Sequence, residues 1–158
     1  MVFDETYFRE IWGELGVHRH DYCEFLASSL ITKYGKCKIL DVGTGCGYLV
    51  KILNDKGITA YGLEISQYAV NNSHGNVLLG SVIDIPFKNN YFDVVFSQGL
   101  WEYIPEDQVD YAFTECNRVG NHQYHNFDSE ENDNPPEHQK ITIKPRTWWN
   151  EKGIGVDL

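Results

Sequence analysis

The stretch ILDVGTGCGYL, residues 39–49, decides the fold of this chain. Apolar residues predict a strand over residues 37–42, three glycines then occupy alternate positions, and a helix is predicted over residues 48–56. Glycine lets the backbone turn tightly and lets a ligand approach the main chain closely. The helix that follows directs its free N–H groups towards such a ligand. The stretch therefore predicts a ligand site at the carboxyl end of a buried strand.

Strands alternate with helices over the rest of the chain. Further strands are predicted at residues 59–63, 76–79, 92–96 and 121–127. Further helices are predicted at residues 6–15, 21–34, 66–72, 105–119 and 147–152. This alternation predicts an α/β fold of three layers, in which a mostly parallel sheet lies between helices. The length of 158 residues predicts one domain.

The last part of the chain has weaker patterns. Residues 128–137, DSEENDNPPE, are acidic and contain two prolines, which predicts an exposed loop. Residues 141–143 are predicted to be extended, and residues 155–158 are consistent with the start of a sixth strand.

Composition excludes several classes of protein. A net charge of −10 disfavours nucleic acid or an anionic membrane surface as the main partner, since both require basic patches. No apolar run approaches the roughly 20 residues of a membrane span, and the N-terminus lacks a signal-peptide core. The four cysteines are scattered without C-x-x-C spacing, so no metal site is predicted. We therefore expect a cytoplasmic protein.

Polar residues stand at the ends of the later strands, where they share one edge of the predicted sheet. Glu64 closes the second strand, and its carboxylate can accept hydrogen bonds from both hydroxyl groups of a ribose. Asp84 follows the third strand among apolar residues, which suits an adenine ring and its exocyclic amine. Ser97 and Gln98 end the fourth strand. The simpler interpretations are a solvated position before a helix for Glu64 and a turn cap before Pro86 for Asp84.

In order and spacing, these four motifs resemble the class I methyltransferases that use S-adenosylmethionine. The resemblance covers residues 37–119, and SQGLWEYI, residues 97–104, looks like the end of the fourth strand in that family. It implies a Rossmann-like methyltransferase fold in which Asp41 orients the glycine turn, Glu64 holds the ribose and Asp84 lies beside the adenine amine. The cofactor-binding residues that it implies are Asp41, Gly43, Thr44, Gly45, Gly47, Glu64, Ile65, Asp84, Ile85, Ser97 and Gln98.

The resemblance also divides the single domain into three parts. Residues 1–35 are expected to form N-terminal helices and a lid, residues 37–119 the cofactor-binding core, and residues 120–158 the substrate side. Family members usually end in an antiparallel hairpin, and the resemblance leads us to expect that this hairpin is shortened or missing here. A sheet edge left open in this way favours self-association of the chain.

The catalytic residues are not assigned by these motifs, because Tyr103 stands where the family often has histidine. The candidates for a general base are Tyr103, Glu102, His125 and His20, together with His18 and His122. Arg19 is a candidate partner for the carboxylate of the cofactor. An ordinary solvated or strand position is the simpler interpretation for each of these histidines.

The leading hypothesis is methyl transfer to a small-molecule acceptor, such as a sugar or another metabolite. Methylation of a protein or RNA is an alternative within the same class. Two hypotheses come from different classes: a non-catalytic module that binds S-adenosylmethionine or serves as a partner subunit, and an oxidoreductase with a nucleotide cofactor. The glycine spacing disfavours the oxidoreductase, because it does not match G-x-G-x-x-G.

Overall fold

The computed structural model describes residues 3–11, 20–127 and 139–154. Five strands form one parallel sheet in the order β3-β2-β1-β4-β5. Their bounds are β1 Lys38–Val42, β2 Thr59–Glu64, β3 Val77–Leu79, β4 Phe92–Gln98 and β5 Gly120–Asn126. The predicted parallel α/β fold is confirmed.

Helices connect these strands and cover the sheet. They are α1 His20–Tyr34, α2 Tyr48–Asp55, α3 Gln67–Asn71, α4 Val109–Val119 and α5 Arg146–Glu151. A π-helical turn lies at Tyr7–Ile11, and 3-10 turns lie at Trp101–Tyr103 and Glu106–Gln108. The helix predicted from residue 105 therefore begins later, since Pro105 is extended (φ −52°, ψ 138°) and a 3-10 turn precedes α4.

The core lies on both faces of the sheet, because successive side chains of a strand point to opposite faces. On one face Leu40 and Val95 belong to a cluster that includes residues of α4 and α5. On the other face Ile39 and Val94 pack with residues of α1 and α2. Burial on both faces explains the apolar runs at residues 39–40 of β1 and 94–96 of β4.

Residues 139–154 are attached to the segment that follows β4. The N–H groups of Ile141 and Thr142 donate to the carbonyl of Glu102, at 2.9 and 3.0 Å. The hydroxyl of Thr142 donates to the carbonyl of Ile104 at 2.6 Å. These bonds hold the 3-10 turn Trp101–Tyr103 from behind and so fix its position at the sheet edge.

Several sequence-based predictions fall outside the described residues. They are the acidic loop at residues 128–137, the sixth strand at residues 155–158 and the second half of the first helix. Within the described part, β3 and β5 are the edge strands, so self-association through an edge stays a prediction. None of the helices in residues 3–11, 20–127 and 139–154 has the length and apolarity to cross a membrane.

Candidate functional site

A cavity of about 810 Å³, including its open mouth, lies at the carboxyl ends of β1, β2 and β4. Ligand pockets of proteins have volumes of about 300–1,000 Å³. Its walls are the glycine turn after β1, the end of β2, residues 80–83, 99–100 and 103–105, and Gln108. Phe3, Tyr7 and Phe8 of the N-terminal segment complete the wall. The strand order places this cavity where connections leave β1 in one direction and β4 in the other, the usual ligand site of such sheets.

The glycine turn and the end of β2 are joined through the carboxylate of Glu64. The N–H of Gly45 donates to Oε2 and the N–H of Ser66 donates to Oε1, both at 2.8 Å. Burial raises the pKa of Glu64, and the backbone N–H donors oppose that shift. The carboxylate therefore has a fixed orientation on the cavity wall, where its oxygens can accept a further hydrogen bond.

Three glycines of the turn adopt left-handed backbone conformations that other residues rarely adopt. The φ angles of Gly43, Gly45 and Gly47 are +72°, +59° and +75°. A Cβ on Gly43 would lie 3.0 Å from Cδ1 of Leu100, which lines the same cavity next to the turn. The turn therefore presents bare main chain to whatever occupies the cavity.

Asp41 supports this turn from below. The hydroxyl of Thr44 donates to Oδ2 of Asp41 at 2.7 Å. Burial raises the pKa of Asp41 to about 7, although the bond from Thr44 lowers it. A Cβ on Gly62 would lie 2.4 Å from Cγ2 of Thr44, so glycine at this position of β2 allows the close approach.

Only some of the residues in the loop after β3 that the sequence predicts around an adenine lie on the cavity wall. Val82 and Ile83 lie on the cavity wall. Asp84 is exposed and is not part of the wall, and the expectation for Ile85 is corrected because this side chain is buried in the core. The N–H of Ile85 donates to Oε2 of Glu115 at 2.9 Å, which turns this residue away from the cavity.

The end of β4 places Ser97 and Gln98 off the cavity wall. Ser97 is fully buried, and the indole N–H of Trp101 donates to its Oγ at 2.9 Å. The side-chain oxygen of Gln98 accepts from the hydroxyl of Tyr22 at 3.0 Å. Ser97 thus holds the turn that follows β4, which is a supporting position.

His125 completes the same buried network. The side-chain nitrogen of Gln123 donates to the carbonyls of Cys116 and Gly120, so its oxygen accepts from Nε2–H of His125 at 3.1 Å. Nδ1 of His125 therefore accepts from the hydroxyl of Ser97 at 2.8 Å. Burial lowers the pKa of His125 to about 3. This histidine is a neutral structural residue behind the wall.

The remaining candidate bases are separated by the fold. Tyr103 lies on the cavity wall, whereas Glu102 is buried outside it. His20 is exposed at the start of α1 and lines a different cavity, next to Lys51 of α2. His122 pairs with Val94 in the first half of β5, so it lies away from the carboxyl edge. His18 and Arg19 lie outside the described residues.

The N-terminal segment supplies wall residues that the motifs do not single out. Tyr7 and Phe8 pack with Cys46 and Ala69, next to the glycine turn and α3. The hydroxyl of Ser66 donates to the carbonyl of Phe3. The helical spacing of the aromatic residues predicts an amphipathic segment here, but its partner surface is visible only in the folded chain. The lid expected from residues 1–35 stays a prediction, and in the described part of that range Phe3, Tyr7 and Phe8 line the cavity.

Metal coordination is a separate question from this cavity. Within residues 3–11, 20–127 and 139–154, no group of three or more His, Cys, Asp or Glu side chains is arranged to hold a metal ion.

The parallel sheet, the glycine turn and the carboxylate at the end of β2 define a Rossmann-like protein with a cavity at the carboxyl ends of its strands. The chain matches the family model for a methyltransferase domain over residues 40–123, just over half of its length. It belongs to this family of class I S-adenosylmethionine-dependent methyltransferases. No curated protein sequence matches the chain.

Solved structures share the fold. A candidate S-adenosyl-L-methionine-dependent methyltransferase from Methanococcus maripaludis is 19% identical with a TM-score of 0.70, over 80% of this chain and 65% of that one. A candidate sarcosine dimethylglycine methyltransferase from Galdieria sulphuraria is 27% identical with a TM-score of 0.55, over 62% and 41%. The magnesium protoporphyrin IX methyltransferase of Synechocystis with bound SAM is 16% identical with a TM-score of 0.56, over 72% and 60%. This chain therefore spans 65% or less of the length of each.

Proposed function

We propose that this chain binds S-adenosylmethionine and transfers its methyl group to a small-molecule acceptor. The observation that carries the proposal is the carboxylate of Glu64, which is held on the cavity wall beside three glycines with positive φ. The Synechocystis relative contains bound SAM, which agrees with this assignment of the cofactor.

The residues of the cavity fit such a cofactor. A ribose has two neighbouring hydroxyl donors, and the carboxylate of Glu64 is an acceptor of hydrogen bonds on the cavity wall. Ile65, Val82 and Ile83 supply apolar surface for a flat base. The bare main chain of Gly43 and Gly45 leaves room for an amino-acid group. Asp41 and Thr44 act through the shape of the turn. For Gly47, Asp84, Ile85, Ser97 and Gln98, the structure supports at most an indirect role.

The cofactor supplies an electrophilic methyl group, so the protein has to orient the reactants and exclude water. Orientation of two reactants at near-attack distance contributes up to about 7–11 kcal/mol to lowering a barrier. The glycine turn and Leu100 form one side of the cavity, and Phe3, Tyr7 and Phe8 cover it from another. Tyr103 is the one candidate base that lies on the described wall, so it contacts an acceptor directly in this proposal.

Calorimetry with a matched pair of variants tests the cofactor assignment. Glu64→Gln should weaken binding of S-adenosylmethionine by about 10- to 100-fold, because charge-assisted hydrogen bonds contribute roughly 1.5–3 kcal/mol each. Glu24→Gln is the control, since Glu24 of α1 is paired with Lys56 outside this cavity. Equal affinity of the Glu64→Gln variant and the unmodified protein contradicts the proposal. Binding of NAD without binding of S-adenosylmethionine favours an oxidoreductase instead.

The acceptor is addressed by a transfer assay with radioactive S-adenosylmethionine. The charge of −10 supports a small molecule over RNA. Label should therefore enter a small-molecule extract, and it should not enter total RNA or protein. Label in RNA or protein supports a macromolecular acceptor, and tight cofactor binding without any transfer supports a non-catalytic module.

A further inference from the structure

Three aromatic rings form a corner on the wall of the cavity. The rings of Phe3, Tyr7 and Tyr103 are close to mutually perpendicular, with interplanar angles of 81°, 80° and 83°. Their centroids are 5.0, 5.7 and 6.5 Å apart. All three residues line the cavity. We call this set the aromatic corner.

The aromatic corner adjoins the glycine turn and is held in place from several sides. Leu100 approaches the turn at Gly43, and the N–H of Tyr103 donates to the carbonyl of Leu100 at 3.0 Å. The N–H of Tyr7 donates to Oδ1 of Asp4 at 3.1 Å, which fixes the start of the π-helical turn. These bonds fix the backbone of Tyr7 and Tyr103, and the rings contact one another edge to face. A preorganised wall of this kind binds more strongly and more selectively.

The charges on this wall favour a cationic ligand. Aromatic rings carry negative potential on their faces and attract ammonium groups within about 6 Å of the centroid. In the part of the chain that the structure describes, Glu64 is the only charged side chain that lines the cavity. Rings and carboxylate thus act in the same direction on a positive charge.

We propose that the aromatic corner binds the methyl acceptor, and that this acceptor is a small amine that becomes a more highly methylated ammonium ion. The inference rests on the proposed function and names the substrate class of the same site. A sugar hydroxyl, which is one of the small-molecule acceptors expected from the sequence, has no positive charge for this corner to bind.

The reaction that follows is balanced within the cavity. The ammonium form of the amine first releases one proton to water, and the lone pair freed on nitrogen then forms the new bond to the methyl carbon. The electron pair of the breaking carbon–sulfur bond stays on sulfur. Positive charge therefore passes from sulfur to nitrogen. A tertiary amine becomes a quaternary ammonium ion, whereas a primary or secondary amine then releases one proton to water. In this proposal the nitrogen on which charge develops lies against the corner, which is where electrostatic stabilisation lowers a barrier.

A pair of probes that differ in charge tests the corner. Choline carries a trimethylammonium group, and 3,3-dimethylbutan-1-ol has the same shape without the charge. Binding of each is measured by calorimetry, with and without saturating S-adenosylhomocysteine. We expect choline to bind at least 10-fold more tightly than the neutral alcohol, because three rings contribute about 2- to 30-fold each. Equal affinities overturn the inference.

Variants locate the effect at the corner. Tyr103→Leu should reduce choline affinity by about 2- to 30-fold, and Tyr103→Phe should retain most of it because the ring remains. Tyr111→Leu is the control, since Tyr111 is 70% exposed on α4 and does not line the cavity. If Tyr103→Leu and Tyr111→Leu bind choline equally well, the corner is not the amine site.

Transfer assays separate this inference from the proposed function. With the unmodified protein, mass spectrometry should detect methylated products from a panel of small amines and not from alcohols of the same shape. Transfer only to alcohols overturns the amine proposal and leaves the methyltransferase assignment intact. Absence of S-adenosylhomocysteine binding refutes the proposed function. The corner would then remain a cation site only, and the acceptor assignment would fall with it.

Discussion

Two buried titratable groups should give the stability of this protein opposite dependences on pH. Burial lowers the pKa of His125 from 6.5 to about 3 and raises the pKa of Asp41 from 3.8 to about 7. The replacements His125→Gln and Asp41→Asn each remove one of these two contributions to the pH dependence of stability. Both replacements preserve side-chain oxygen or nitrogen atoms for the hydrogen-bond partners, Ser97 and Thr44.

The signs follow from proton linkage. At pH values between the pKa of His125 in the folded state and its higher pKa in the unfolded state, only the unfolded state binds a proton at this residue. The free energy of unfolding therefore falls as the pH falls. From about pH 7.5 to about pH 5, this loss is roughly 2 kcal/mol. The folded state binds the proton of Asp41 over most of the same range, so acidification stabilises it by roughly 2–3 kcal/mol. In the unmodified protein the two contributions nearly cancel.

Urea unfolding at several pH values measures the difference. The fluorescence of Trp101 and Trp149, both fully buried, reports the transition. Relative to the unmodified protein, His125→Gln should gain roughly 2 kcal/mol in the free energy of unfolding on going from about pH 7.5 to about pH 5. Over the same range Asp41→Asn should lose a similar amount.

A control on the same strand makes this test decisive. His122 is an exposed residue of β5, and His122→Gln should leave the pH dependence as it is in the unmodified protein. If His125→Gln has the same pH slope as His122→Gln, then His125 is not held neutral by burial. The reasoning about the Ser97–His125 network would then be refuted.

Two further predictions concern glycines. Gly43→Ala and Gly57→Ala should each destabilise the fold by about 1–2 kcal/mol, since both residues have positive φ, +72° and +79°. Only Gly43→Ala should also weaken binding of S-adenosylhomocysteine in calorimetry, because a Cβ on Gly57 has no atom within 4 Å; equal affinities would contradict the role of the turn. Gly120→Ala should destabilise the protein by on the order of 1–3 kcal/mol in urea unfolding, because its Cβ would lie 2.4 Å from Cγ2 of Val95. An unchanged unfolding midpoint would show that β5 does not pack this closely on β4.

Most of the fold can be predicted because local patterns and long-range contacts agree. β1 and β2 are apolar runs that end at glycine or glutamate, and the structure has them within one residue of their predicted bounds. The sequence pattern starts α4 four residues too early, because Pro105 is compatible with a first helical turn but lies outside it in the structure. β5 is polar, yet it forms a strand because its backbone pairs with β4 from Phe92 to Gln98.

The site can be predicted in part. The glycine turn follows β1, and Glu64 ends β2. Because β1 and β2 are adjacent and parallel, the turn and Glu64 lie at the same edge of the sheet. Ile85 and His125 are candidate site residues in the sequence, but their orientation depends on Glu115 and Ser97, which lie 30 and 28 residues away. A pattern of residue types carries no information about such pairings.

By itself, the sequence determined the order of strands and helices, the glycine turn and the carboxylate at the end of β2. These features depend on backbone preferences and on the period of apolar residues, which are local properties of the chain. The tertiary structure alone decided which polar and aromatic side chains reach the cavity. Tyr103 reaches the cavity and His125 does not. Each side chain takes the position that packs its apolar atoms and satisfies its buried hydrogen bonds. The residues that provide these contacts come from distant segments of the chain.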